Sequence, residues 1–471
     1  MNWFVFWIVI YVVLLILLTL RYVKIKNIES YLINNRNTGT LQLVFTILAT
    51  FVGGGVSMGL IAFGYESGLA AVAIGIAYVI GFFILSRYAG KMYKEGREFG
   101  LYSFPQYLKK KYRIKENDKS GQMFIGVVSL INIFIFFFLL AAQFVGMASL
   151  LEYSFGVGYE LAAIISCIIV IFYTAMAGLS GVIITDFVQF IVIILLILFI
   201  FIPGVIDDTQ WFARLQELPN SMVNGTSEGM IFLIAVPLFL SWSLLVRMDI
   251  WQRILAAKSE TVARKVSLWS GIGMLPFYFI FPLVGMTVRL NYSLDNAKDA
   301  TFYFMTDNVG GVFLWFAVVG LISALMSSGD SFLNVISVSV VKDFRKRIDF
   351  SAKREILFIR LAVVVFGSIA MLMALVFPDI VDLMVVGVST IAIFVPATLV
   401  ALKRDDASDY RNIAFISILT GFIVNISFFI WGVVAPEQFS AKSSFIPAFI
   451  VSVLIMLMGM LIKRPSRKHD K

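Results

Sequence analysis

The sequence predicts an all-α membrane protein of thirteen transmembrane helices, built as a five-plus-five inverted repeat with one extra N-terminal helix and two extra C-terminal helices. Three observations lead there: an extreme composition, apolar runs of helical length, and interruptions that recur five spans apart. Of 471 residues, 60% are hydrophobic and only 14% charged, and the mean hydropathy is +0.92. Soluble domains run at about 45–50% apolar and about 25% charged. Runs such as Trp3 to Leu20, Met123 to Leu151 and Val182 to Val205 match the roughly 20 residues a helix needs to cross a bilayer. An outer-membrane barrel, with alternating strands of about 10 residues, is excluded.

Apolar windows place the spans at 3–22, 41–65, 69–93, 121–151, 159–178, 181–205, 229–256, 266–290, 310–341, 356–377, 382–402, 412–433 and 445–462. An odd number puts the termini on opposite sides. With the N-terminus outside and the C-terminus cytoplasmic, the inner segments 21–40, 87–120, 253–265, 342–360, 403–411 and the tail from Lys463 hold 33 of the 38 basic residues. Outer loops keep only Arg214, Arg289, Lys298 and Lys442, beside acids such as Asp207, Asp208 and Asp295. This is the bias that orients polytopic proteins. It also explains the net charge of +9 without a nucleic-acid partner. The first span lacks a basic leader and a small-residue cleavage site, so it reads as a retained helix rather than a signal peptide.

Few chemistries are open to this chain. One cysteine, Cys167, and one histidine, His469, exclude internal disulfides and leave no cysteine or histidine cluster for a metal. There is no nucleophile–base pair, no P-loop and no extramembrane domain. An enzyme is therefore not expected, and the partners implied are a small solute, an ion and the lipid bilayer, with no obligatory protein partner.

The interruptions carry the function. The second span contains Gly53-Gly54-Gly55 in mid-run, where each glycine costs a helix about 1 kcal/mol relative to alanine. Irregular backbone within a membrane is tolerated only where it lines a cavity or is buried in protein. A break here frees carbonyls able to ligate a cation; the bland alternative, close packing through small residues, favours a spacing of four. The seventh span carries Arg247 and Asp249, about two turns from its inner end, and intramembrane charge marks a site by default. Two apart on a regular helix they face different ways, so both address one cavity only if the helix unwinds there. Otherwise Arg247 snorkels to the inner interface and Asp249 pairs with a neighbour.

Asp186 lies about one and a half turns into the sixth span, placed to hold a cation or cap a helix. In the ninth span, Ser327 and Ser328 follow Ala324 by three and four residues, so both hydroxyls can meet its carbonyl. Hydroxyls and main-chain carbonyls suit sodium, a hard cation; membrane serines also bond back to such carbonyls with no further role. Gln143, polar amid an apolar run, either lines the cavity or makes an interhelical bond. Breaks in the second and seventh spans are the pattern of inverted-repeat transporters. They divide the chain into a peripheral helix and linker (1–40), two repeats (41–205 and 229–402), and two peripheral helices with a basic tail (403–471).

These residues resemble the sodium:solute symporter family over about Leu43 to Leu402. The likeness rests on Thr50–Gly55 with Gly64-Tyr65, on Ala177-Gly178…Thr185-Asp186…Gln189, on Ala324…Ser327-Ser328-Gly329-Asp330-Ser331, and on Gln252-Arg253…Ala257-Lys258-Ser259. The resemblance implies a LeuT-like fold and alternating access coupled to inward sodium movement. It implies a sodium site from the carbonyls of Ala49, Val52 and Ala324 with the hydroxyls of Ser327 and Ser328, and a further sodium or proton site at Asp186. Phe51, Gly53, Gly54, Gln143, Arg247 and Asp249 are the expected solute-binding residues.

The Phe-Val-Gly-Gly-Gly run looks most like the choline branch, but that branch places an aromatic residue at the Arg247 position, and a guanidinium repels a quaternary amine that needs aromatic faces. Sugar transporters differ at Arg247 and Asp249, and proline transporters carry an acid at the Phe51 position. Arginine pairs well with carboxylates, so a zwitterionic or anionic solute is expected. The rival readings are proton coupling through Asp186 or Asp249, and a sensor or channel without coupled uptake. With nine residues after the last span, a sensor would need a separate output partner.

Overall fold

The computed structural model describes residues 3–20, 27–344 and 351–462. The basic tail from Lys463, with His469, and the charges at 21–26 and 345–350 lie outside the described residues. Helices account for nearly all of the rest. They are α1 (Trp3–Leu20), α2 (Ile28–Ile33), α3 (Thr40–Phe51), α4 (Leu60–Ser67), α5 (Val72–Glu98), α6 (Phe104–Lys111) and α7 (Lys119–Phe155). Next come α8 (Tyr159–Leu196), α9 (Ile202–Asp208), α10 (Asn220–Val223), α11 (Gly229–Ala235), α12 (Met248–Ala256), α13 (Glu260–Asn291) and α14 (Ala300–Asn308). The last are α15 (Val312–Asp343), α16 (Ala352–Val376), α17 (Ile380–Ile391), α18 (Val395–Lys403), α19 (Arg411–Val434) and α20 (Phe445–Ile462).

Ten described stretches are long and apolar enough to cross a membrane, or eleven when the bent pair Gly229–Leu245 and Met248–Ala256 counts as one. Those two pieces meet at 48°. One of the ten, Gly55–Glu98, runs 44 residues and contains both α4 and α5. Phe6–Leu20 and Thr40–Phe51 are apolar but shorter.

Local chemistry sets the ends. Asp118 caps α7 by accepting the Gly121 N–H at 3.0 Å, and Ser259, of the Ala-Lys-Ser stretch, caps α13 through Val262 N at 3.2 Å. Such caps satisfy N–H groups that the first turn leaves open. Within α8 the chain turns at Gly178, whose φ is +59°, a region costly for residues with a Cβ. The Tyr31 ring occupies the space a side chain there would need. This turn separates the two predicted spans at 159–178 and 181–205.

Helix α15 is the axis: it packs against α7 and α8 and touches α3, and 94% of its most apolar window is buried, against 22% for Ala441–Ile462. The segment before α3, taken as a cytoplasmic linker, is a packed element: Tyr31, Leu32 and Ile33 of α2 are fully buried. Thr38 pairs with the end of α12, its N–H donating to Ala256 O (3.0 Å) and its carbonyl accepting from Lys258 N (3.1 Å).

Candidate functional site

Both interrupted spans are broken where the sequence predicts. In the second, α3 stops at Phe51, Val52 and Gly53 form a turn, and one wide turn over Gly55–Gly59 leads into α4. The exchange of bonds is specific. Continuing helix would give the Gly54 N–H to the Thr50 carbonyl. Instead Gly54 N donates to Gln143 Oε1 at 2.7 Å, and the Thr50 carbonyl accepts from Ser328 Oγ at 2.6 Å. The Gly53 carbonyl collects the N–H groups of Val56 and Ser57, each at 2.9 Å, and so starts the turn that leads into α4.

In the seventh span, wide and tight turns over Val236–Leu245 end at Val246, and Arg247, with φ −67° and ψ 119°, precedes α12. The break puts Asp249 in the first turn of α12, so its carboxylate folds back onto the guanidinium. Arg247 Nε reaches Asp249 Oδ1 at 3.0 Å and Nη2 reaches Oδ2 at 2.6 Å. The guanidinium also lies over the Phe51 ring, 4.4 Å from its centroid.

A cavity of about 600 Å³ opens beside these breaks. Phe51, Gly53, Gly54, Gln143 and Arg247 line it, with Tyr78 and Tyr278 adding aromatic wall. Glu66, Glu228, Lys298, Asp379 and Lys442 add charged groups to its lining. Among them Lys298 pairs with Asp379. Burial alone would raise the Asp379 carboxyl, but Lys298 and the N–H groups of Asp382 and Val381 hold it below its ordinary value.

Asp249 stands apart from the other expected solute residues. It is 1% exposed and is not part of the cavity wall, because the backbone turn that unwinds the span also aims its carboxylate at Arg247. The pair neutralises itself. Arg247 therefore presents a compensated guanidinium, and the electrostatic arguments for an anion and against a cation both weaken.

Of the expected sodium ligands, Ser328 meets the α3 break and approaches the Ala324 carbonyl at 3.4 Å. Ser327 turns the other way, donating to Asp186 Oδ1 at 2.5 Å. Ala49, Val52 and Ala324 are buried and occupy the same junction of α3 with α15. The second Asp186 oxygen accepts from Thr46 and faces Arg253 Nη2 at 3.5 Å. Asp186 thus joins α8 to both α3 and α15 through uncharged hydroxyls.

Sequence reasoning missed three members of this cluster. Arg253 was assigned to the inner loop 253–265, yet it is 1% exposed and bonds Ser331 Oγ at 2.6 Å and Thr50 Oγ1 at 3.1 Å. Asp330, fully buried, accepts from the Tyr173 hydroxyl at 2.9 Å. The rule that an intramembrane acid marks a site, applied to the ninth span, would have singled it out. For Thr50, the hydroxyl bond to Ser331 (3.1 Å) has no sequence signal beyond its place before the glycines.

Comparison with known proteins now decides the class. A model of the sodium:solute symporter family matches residues 31–402. The chain belongs to that family. This sodium:solute symporter is 27% identical to the sodium/proline symporter of Staphylococcus aureus over 98% of its own length and 94% of the relative's. Its fold is that of a sodium-coupled sialic acid symporter, with a TM-score of 0.77 at 15% identity over 98% of both chains. Mhp1, a nucleobase-cation-symport-1 family transporter, superposes with a TM-score of 0.58 at 14% identity, over 92% of this chain and 94% of that one. The protein is thus an integral membrane transporter with a LeuT-like fold, not an enzyme, and sodium is its coupling ion.

Proposed function

We propose that this symporter imports a zwitterionic amino acid with sodium by alternating access, and that proline is the first solute to test. The carrying observation is the junction where Ser328 takes the Thr50 carbonyl at the glycine break, beside the cavity lined by Phe51, Gly53, Gly54, Gln143 and Arg247. On this reading Ser327, Ser328 and the carbonyls of Ala49, Val52 and Ala324 hold the sodium ion, which needs oxygen ligands and little net charge. Asp186 is the acid of a second sodium or proton site. Phe51, Gly53, Gly54, Gln143 and Arg247 contact the solute, with Asp249 compensating Arg247 from behind. The Staphylococcus aureus relative brings proline forward, although this chain has Phe51 where that branch is expected to carry an acid.

We count thirteen crossings by adding α1 to the eleven and dividing Gly55–Glu98, so that α4 joins α3 as one span and α5 forms the next. Residues 41–205 and 229–402 are then the two repeats, with the N-terminus outside. The basic residues of the inner loops support that orientation.

Two measurements test this reading. Sodium chloride should raise the melting temperature of purified protein above potassium or choline chloride at equal ionic strength. Saturation to about a hundred times Kd corresponds to about 2.7 kcal/mol of stabilisation; identical curves in all three salts would refute a sodium cage. With sodium present, a screen of amino acids, carboxylates, sugars and amines should give its largest further shift with proline or a similar zwitterion. A hit confined to sugars or quaternary amines would refute the solute assignment.

A further inference from the structure

The cluster beneath the glycine break already contains a cation. Arg253 belongs to α12, the inner half of the broken seventh span, and its guanidinium runs inward rather than to the inner surface. Nη2 meets Ser331 Oγ at 2.6 Å, Thr50 Oγ1 at 3.1 Å, Thr46 Oγ1 at 3.4 Å and Asp186 Oδ2 at 3.5 Å. Nη1 bonds the Asp249 carbonyl of its own helix at 3.3 Å, and Nε has no partner. Four oxygens from three other helices thus converge on one guanidinium nitrogen.

Those helices, α3, α8 and α15, are the ones that frame the sodium cage, on whose assignment this inference rests. The oxygens are also linked to it residue by residue. Thr50 gives its hydroxyl to the Arg253 cluster and its carbonyl to Ser328. Asp186 gives one oxygen to Arg253 and the other to Ser327. Ser331 lies one turn beyond Ser327 and Ser328. A charge placed in the cage and the charge on Arg253 therefore draw on the same carboxylate, in surroundings where water cannot screen them.

Arg253 is also mechanically connected. The end of α12 is tied to the segment before α3 by the Thr38 bonds to Ala256 and Lys258 and by Arg36 Nη1 to the Leu255 carbonyl at 3.4 Å. A change in how firmly Arg253 is held reaches the inner ends of both broken spans together.

We propose that Arg253 is a tethered competitor of the sodium ion: it holds Asp186, Thr50 and Ser331 before sodium enters, and sodium binding loosens it and with it α12. Arg253 is on this account a positioning residue that converts ion occupancy into release of the inner half-helix. A brace that merely supported the cage would act in the opposite direction, since its removal would weaken sodium binding.

The test is a sodium titration of the purified full-length protein, followed by thermal shift against potassium at constant ionic strength. Arg253→Gln should reach half-saturation at about tenfold lower sodium, the scale of one charge-assisted hydrogen bond, while sodium-driven uptake of the solute falls. Arg253→Lys, which restores the charge, should move the midpoint back toward wild type. Ser331→Ala removes the shortest contact without altering charge and should shift the midpoint the same way by about threefold, less than full loss of such a bond; it reads the effect even if the Arg253 variants fold poorly. Unchanged or weaker sodium affinity in these variants would overturn the proposal while leaving the cage standing. A wild-type protein indifferent to sodium would remove the cage, and this inference with it.

Discussion

Arg247→Ala should destabilise the protein by about 3–5 kcal/mol, the cost of removing one partner from a buried pair and stranding the other. Asp249, 1% exposed in the wild type, would then lose the two charge-assisted bonds it accepts from Arg247. Chemical or thermal denaturation in detergent reads the loss directly. The double variant Arg247→Met with Asp249→Leu should recover most of it, because replacing a buried pair by apolar groups of similar volume is often neutral. If the single variant were as stable as wild type, the pair would not be buried as described. The same proteins bear on the solute. Undiminished affinity of the double variant would show that this guanidinium does not recognise the solute's carboxylate.

The second large effect is expected at Gly53. A Cβ there would lie 1.8 Å from Ser328 Oγ, 2.6 Å from Ser328 Cβ and 2.8 Å from Gln143 Oε1, so alanine would force α3 and α15 apart at their junction. Overpacking of this kind typically costs about 1–3 kcal/mol. Gly53→Ala should therefore abolish the sodium-dependent thermal shift and sodium-driven uptake even where the protein still folds. Gly59→Ala is the control, since its nearest neighbour would be the Gly54 carbonyl at 3.6 Å, an ordinary contact. Equal behaviour of the two variants would remove Gly53 from the sodium junction.

Much of the architecture was legible because a bilayer restricts what a sequence can do. Apolar runs had to be helices, and Gly53-Gly54-Gly55 and Arg247 stood out as violations within them. Those violations located both breaks, and the cavity beside them is lined by Gly53, Gly54 and Arg247. Side-chain direction was not legible. Asp249 faces Arg247 rather than the cavity because the chain unwinds at Val246, and no spacing rule for intact helices anticipates that turn. Arg253 was hidden for a related reason: counted from a continuous span it falls at the inner surface, whereas the bent α12 brings it against α3 and α15. Ser327 and Ser328 are adjacent, and nothing in their spacing sends one to Asp186 and the other to Thr50. That division depends on where α3 and α8 pass on either side of α15.

The exchanged bonds at Gly54 and Thr50 have a mechanical consequence. Loose backbone at a bend would let the two halves of the second span swivel freely. Here each loose end is claimed by a different neighbour, Gln143 on one side and Ser328 on the other, so the joint has a defined rest angle. Rewinding it, or flexing it further, requires α7 and α15 to release their grip together. The bend therefore works as a latched knuckle rather than a floppy one.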